Sequence, residues 1–271
     1  MARERILITV KTYPTLSQSH VELVCTAGFR EDGSWVRIYP IPFRLLTEET
    51  RFPKWTWIEL PLVRRIKDKR PESFSPVNRD DITILDPVST ADNWRERRAV
   101  VQRGRIWTNL TELIAAGKRD EVSLATFKPA KLLGFEWQPS TEDWDPAKLA
   151  AATRQLQQTS FLDADALQQN FKPARKVPYD FYYRFEDDSG NKPRLRILDW
   201  EIGMLYWNCR QSAASDAEAL EKVRQMYETR FFQTDLHLFL GTTYEWHSRA
   251  PNPWVIIGVL PLPQENQPQL L

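Results

Sequence analysis

The chain has 271 residues, a net charge of +1, 42% apolar and 27% charged residues, the make-up of a soluble globular protein with no global pull toward polyanions. Two cysteines and three histidines allow at most one disulfide and match no common zinc spacing, so a cytoplasmic protein without metal or cofactor is expected. No apolar run approaches the roughly 18 residues of a membrane span, and the apolar stretch of MARERILITV is too short for a signal peptide.

In chain order, the first third reads as β. Ile6-Leu7-Ile8-Thr9-Val10 is a buried strand that runs straight into KTYPTLSQSH, with a lysine, a tyrosine, a proline and four serine or threonine residues. Val21–Phe29 and Trp35–Tyr39 flank Asp32-Gly33, a tight-hairpin signal. Alternation in WVRIYPIPFR puts Trp35, Arg37 and Tyr39 on one face. Trp55–Leu60 and Ile82–Leu85 add two more strands.

The middle is mixed. Asp92 caps a helix through about Arg105, Asn109–Ala116 forms another, and Asp145–Gln158 is a surface helix rich in Ala and Gln. Ser123–Phe135 returns to strand around Lys128-Pro129. The last third opens with a hairpin, YDFYYRFEDDSGNKPRLRILDWE. A helix follows over Asp216–Phe231, and then two closing strands, DLHLFLGTTYEW and PWVIIGVLPLP. The expected fold is one α+β domain, with a mixed β-sheet or partly open barrel formed by the N- and C-terminal strands. Residues 1–90 and 179–262 make the β-rich core, 91–178 a largely helical insertion and 263–271 a loose tail.

Phosphate loops, dinucleotide fingerprints, HExxH and GxSxG are absent. Three constellations remain. Lys11 and Tyr13 share a face of the extended chain, with Ser17, Ser19 and His20 on the loop beyond. Arg37 and Tyr39 point one way, and Arg44 follows a rigid turn. In LDWE, Asp199 and Glu201 share a strand face roughly 7 Å apart, with Trp200 opposite. Basic residues also cluster at Arg64, Arg65, Lys67, Lys69 and Arg70, as on a phosphate-binding face. Each feature has a bland alternative: a solvated edge lysine, a structural cation–π pair, a solvated sheet face.

Carboxylates beside aromatic and cationic side chains suit hydrolysis of an N-glycosidic bond, where positive charge builds on the sugar. Asp199 or Glu201 would stabilise that charge and orient water. Lys11, Tyr13, Arg37, Tyr39 and Trp200 would form the base and sugar pocket, and Arg44, Arg64, Arg65 and Lys67 would hold phosphates of DNA. A non-catalytic reader of modified nucleic acid, working with a partner nuclease, needs almost the same list.

The strings VKTYPTLSQSHVELVCTAGF, WVRIYPIPFR and DLHLFLGTTYEW…PWVIIGV resemble a family of bacterial proteins found near mobile elements and defence genes. Within that neighbourhood the chain is similar to the bacteriophage-replication-inhibiting DNA glycosylases. The resemblance covers the first sixty residues and about the last eighty. It implies removal of glucosylated hydroxymethylcytosine from phage DNA, leaving abasic sites. Uracil-glycosylase motifs and a helix-hairpin-helix are both missing.

Overall fold

The computed structural model describes residues 3–16, 22–41, 43, 46, 51–78, 81–141, 143–159 and 173–265. The fold is α+β, as expected. It is built from a closed barrel and a separate sheet, which pack against each other face to face.

The barrel uses β1 (Arg3–Lys11), β3 (Glu22–Phe29), β4 (Trp35–Ile41), β5 (Thr56–Arg64) and β6 (Ser73–Pro76). Their order is β1-β3-β4-β6-β5, and β5 closes the circle by pairing with β1 from Arg3↔Pro61 to Ile8↔Thr56. Two short strands extend it: β2 (Thr15–Leu16) on β3 and β7 (Thr83–Pro87) on β5. The barrel strands pair antiparallel except β4 with β6, which is parallel. A three-stranded meander followed by two strands that cross over and shut against the first is the connectivity of the OB-type Greek-key barrel.

The chemistry of β1 explains its unbroken apolar run. Ile6 and Ile8 fill the barrel interior, while Leu7 faces outward onto the second sheet. A register shift between Ile8 and Val10 inserts a bulge, so Val10 joins Leu7 on the outer face. That extra residue also turns Lys11 back toward the barrel end, over the ring of Phe43 at 3.7 Å. The hairpin at Asp32-Gly33 forms as expected, with Gly33 at φ +83° and Arg30 N donating to Ser34 O at 2.9 Å.

The second sheet runs β10 (Lys131–Pro139), β11 (Tyr179–Glu186), β12 (Arg194–Ile197), β14 (Trp254–Leu262), β13 (Asp235–Thr242), β9 (Leu124–Phe127) and β8 (Ile106–Trp107). One face carries α2 (Leu110–Lys118), α4 (Trp200–Ser212) and α5 (Asp216–Arg224), around a core that includes Leu113, Tyr183, Tyr206 and Leu238. The other face meets the barrel through Phe29, Phe239, Ile257 and Leu260. The other α-helices among the described residues are α1 (Ala91–Arg103) and α3 (Pro146–Thr159).

Two expectations need correction. The N- and C-terminal strands do not share a barrel: β1, β3, β4, β6 and β5 close on themselves, and β1 meets the C-terminal strands face to face. The stretch 91–178 is not simply a helical insertion, because β8, β9 and β10 are strands of the second sheet. Residues 266–271 of the expected tail lie outside the described residues. No helix among the described residues is long and apolar enough to cross a membrane.

Candidate functional site

Where barrel and sheet separate, they leave a cavity of about 650 Å³. The barrel supplies three segments of its wall. Thr12–Thr15 lie at the exit of β1, Cys25, Arg37 and Tyr39 on the adjoining strands β3 and β4, and Arg65, Lys67, Asp68 and Arg70 in the turn between β5 and β6. In an OB barrel these are the face of the second and third strands and the two loops beside it, the region where this architecture holds its ligands. The sheet side contributes Tyr179, Phe181, Arg196 and Thr242–Tyr244, and the connection between β10 and β11 contributes Trp144 and Lys176.

The first-strand exit is pinned to the far end of the chain. Thr12 forms a bridge with Asp199, and Tyr13 N donates to Leu198 O at 2.8 Å. The Tyr13 hydroxyl donates to Arg175 O at 2.6 Å and accepts from Trp207 Nε1 at 3.0 Å. Its ring rests on Gly203, where a Cβ would lie 2.2 Å from Cδ2, so only glycine leaves room for it.

Cationic side chains dominate the wall: Arg37, Arg65, Lys67, Arg70, Lys176 and Arg196, against the carboxylates Asp68, Asp180 and Asp199. Arg70 is paired, donating from Nε and Nη2 to the Asp68 carboxylate at 2.9 and 2.7 Å. Burial pushes Asp68 up, but the hydrogen bonds and charge of Arg70 outweigh it and hold the carboxyl at about 2. Arg65 lies over the Tyr39 ring at 4.8 Å.

Arg37 differs from these. It is 1% exposed and makes no ion pair among the described residues, donating only to hydroxyls and carbonyls of Ser73, Ser123 and Thr242. Its Nε has no hydrogen-bond partner among the described residues. Burial, then the neighbouring Arg70, lowers its pKa. A buried cation so placed costs stability unless an anion compensates it.

Of the residues singled out in the sequence, Tyr13, Arg37, Tyr39, Arg65, Lys67 and Asp199 line this cavity. Lys11, Arg64, Trp200 and Glu201 are not among the residues lining it, and Arg44 lies outside the described residues. Lys11 donates to Phe52 O at the barrel end, and burial, then Lys54, lowers its pKa to about 7. Arg64 braces the carbonyls of Arg65, Asp68 and Ser73. The Trp200 ring packs 5.8 Å from Phe43.

LDWE is not a strand. Asp199 caps α4 by accepting from Glu201 N, because an aspartate before a helical run satisfies the free amides of its first turn. The two carboxylates therefore share no sheet face. Asp199 is fully buried, with Lys54 Nζ at 3.2 Å and Val259 N at 3.3 Å, whereas Glu201 is half exposed and pairs with the same lysine at 3.2 Å. Burial raises the Asp199 carboxyl to about 6, against the pull of Lys54. Among the described residues, no group of three or more His, Cys, Asp or Glu side chains is arranged to hold a metal.

Sequence reasoning missed Asp68, Tyr179, Arg196 and Thr242 as wall residues. Alternation in YDFYYRFE marked a strand but not which face the cavity would use. Arg70 stood in the recognised basic cluster and was passed over for its neighbours.

Residues 2–103 match a domain of unknown function (DUF8758), and residues 107–271 match another (DUF8757). The division falls at the end of α1, between barrel and second sheet. No curated protein matches the chain. Among solved structures the chain is similar to a murine DNA-binding protein bound with double-stranded DNA. Identity is 12% over 73% of this chain and 75% of that one, with a TM-score of 0.31. A likeness this low carries no functional weight.

Proposed function

The chain belongs to the family described as a domain of unknown function (DUF8757), and from its site we propose that it binds DNA and receives one displaced nucleotide in the cavity between barrel and sheet. A single observation carries this reading: the buried Arg37 guanidinium, without an ion pair among the described residues, on the ligand face of an OB-type barrel. An anion beside it would relieve the cost of burying that charge. The volume of about 650 Å³ falls within the range of small-ligand sites, about 300–1,000 Å³. Tyr13, Tyr39, Phe181 and Tyr244 offer walls for a flat base, and Arg65 and Lys67 suit flanking phosphates. The link from barrel type to nucleic acid is a fold-level analogy; the charge arrangement is particular to this chain.

A fluorescence-anisotropy titration of a labelled DNA duplex tests it. Affinity should fall steeply between about 50 and 200 mM salt. Arg65→Ala with Lys67→Ala should weaken binding and flatten the salt slope by about two contacts' worth. Binding that ignores salt and both substitutions would sink the proposal.

One observation favours a second, catalytic reading. A carboxyl held at about 6 beside a cavity is suited to general acid–base work, here hydrolysis of the N-glycosidic bond of a modified base in phage DNA. Against it, the Asp199 carboxylate is engaged by Lys54, Glu201 N and Val259 N. Alkali-labile sites in glucosylated phage DNA, abolished by Asp199→Asn while binding survives, would establish the enzyme. Intact DNA with retained binding would leave the reader.

A further inference from the structure

The turn between β5 and β6 carries an anomaly at its tip. Ile66 is 96% exposed, the most exposed large apolar side chain among the described residues. Tight turns take Asp, Asn, Ser, Gly or Pro for conformational reasons, and an isoleucine there serves none of them. Its neighbours in sequence are Arg64, Arg65, Lys67, Lys69 and Arg70. Arg65 and Lys67, on either side of it, both line the cavity.

The turn is also held firmly. Asp68 N donates to Arg65 O at 3.0 Å, which closes it. Arg64 Nη1 reaches Ser73 O at 2.8 Å, and Asp68 accepts from both the backbone and the side chain of Arg70. From the opposite side Tyr244, itself 66% exposed, approaches Lys67 O at 3.5 Å. An apolar side chain is thus presented on a braced support, between two cationic residues that line an aromatic-walled cavity.

We propose that Ile66 is a wedge that enters the base stack of duplex DNA and fills the space left by the nucleotide that moves into the cavity. Rigid apolar side chains at this kind of position offset the few kcal/mol that unstacking costs. Lys67 and Lys69 are placed to hold the phosphates on each side of the opened step. This inference rests on the nucleic-acid reading and deepens it, since a wedge has work to do only in a duplex. Double-stranded DNA is therefore the partner, and its single strands bind more weakly.

The test uses the full chain and a short duplex with 2-aminopurine at a central mismatch, together with the matching single strand. Wild-type protein should bind the duplex more tightly and raise 2-aminopurine fluorescence as the base leaves the stack. Ile66→Ala, at a solvent-exposed position, should fold normally and lose most of that rise. Its duplex affinity should fall roughly tenfold, the scale of a lost apolar contact of this size. Its single-strand affinity should not change, and Ile66→Leu should restore the signal. An Ile66→Ala variant that binds and opens the duplex like wild type would overturn the wedge while leaving the DNA reading intact. Wild-type protein that binds neither form would overturn both.

Discussion

Replacing Arg37 by methionine separates the two roles that a buried guanidinium can play. Its Nη1 donates to Ser73 Oγ at 3.1 Å and Ser123 Oγ at 2.8 Å, and its Nη2 to Ser123 O at 3.0 Å and Thr242 O at 3.4 Å. Truncation orphans neither carbonyl. Ser123 O still accepts from Thr242 N at 3.0 Å, and Thr242 O from Arg70 Nη1 at 2.8 Å. The lost hydrogen bonds are each worth about 1 kcal/mol net. Against them stands relief from burying a cation near Arg70 that Glu72 and Asp68 compensate only in part and without direct contact, an effect of a few kcal/mol. Methionine also refills most of the apolar volume. The opposing effects leave stability within about 2 kcal/mol of wild type.

Binding has no such compensation. An anion in the cavity loses a charge-assisted interaction of about 1.5–3 kcal/mol, roughly tenfold to a hundredfold in Kd. Urea unfolding followed by tryptophan fluorescence gives the first number, and anisotropy on a labelled duplex gives the second. A stability loss above about 3 kcal/mol with unchanged affinity would refute the reasoning and make Arg37 a bolt between barrel and sheet.

Three further outcomes follow from the geometry. Gly203→Ala drives a methyl group into the Tyr13 ring, and the strain of about 1–3 kcal/mol outweighs the gain of up to about 1 in helix propensity; a lower Tm with weakened DNA binding is the check. Lys54→Met leaves the buried Asp199 carboxylate without its cation and costs about 3–5 kcal/mol at neutral pH. Losing Lys54 pushes the Asp199 carboxyl above its wild-type value of about 6, so the variant takes up the proton first: the gap to wild type in urea midpoint should narrow as pH falls toward about 6 and level off below it, where both proteins hold the proton, and a pH-independent gap would contradict this. Asp68 is the opposite case, with a carboxyl depressed from 3.8 to about 2. Its stabilisation is present above its unfolded pKa and lost as pH falls between those values, so Asp68→Asn should flatten that limb of the Tm–pH curve.

Much of the site was legible because side-chain type and strand alternation survive folding. Arg37 and Tyr39 share the face that alternation assigns them, and both reach the cavity. The meeting of the first strand's exit with LDWE also holds, through Thr12 and Asp199. Lys11 was misplaced because β1 ends there: Lys11 turns into the barrel end over Phe43, while the chain beyond it bridges LDWE at Thr12 and seats Tyr13 on Gly203, so the two side chains do not share one extended face. Glu201 was misplaced because LDWE reads equally as a strand end or as a helix start. The Asp199 cap decides for the helix, and the hydrophobic period of WEIGMLYWNCRQS is too weak to announce it. The closed barrel was hidden by long-range pairing: β1 meets β5 across about fifty residues, a partnership alternation alone does not specify.

Backbone amide exchange with and without a DNA duplex tests the central claim most directly. Slowed exchange confined to Tyr13–Thr15, Arg65–Arg70 and Thr242–Tyr244 is the predicted result, because those three segments wall the cavity from both sides. Protection that falls elsewhere, with these segments exchanging as in the free protein, would contradict the account.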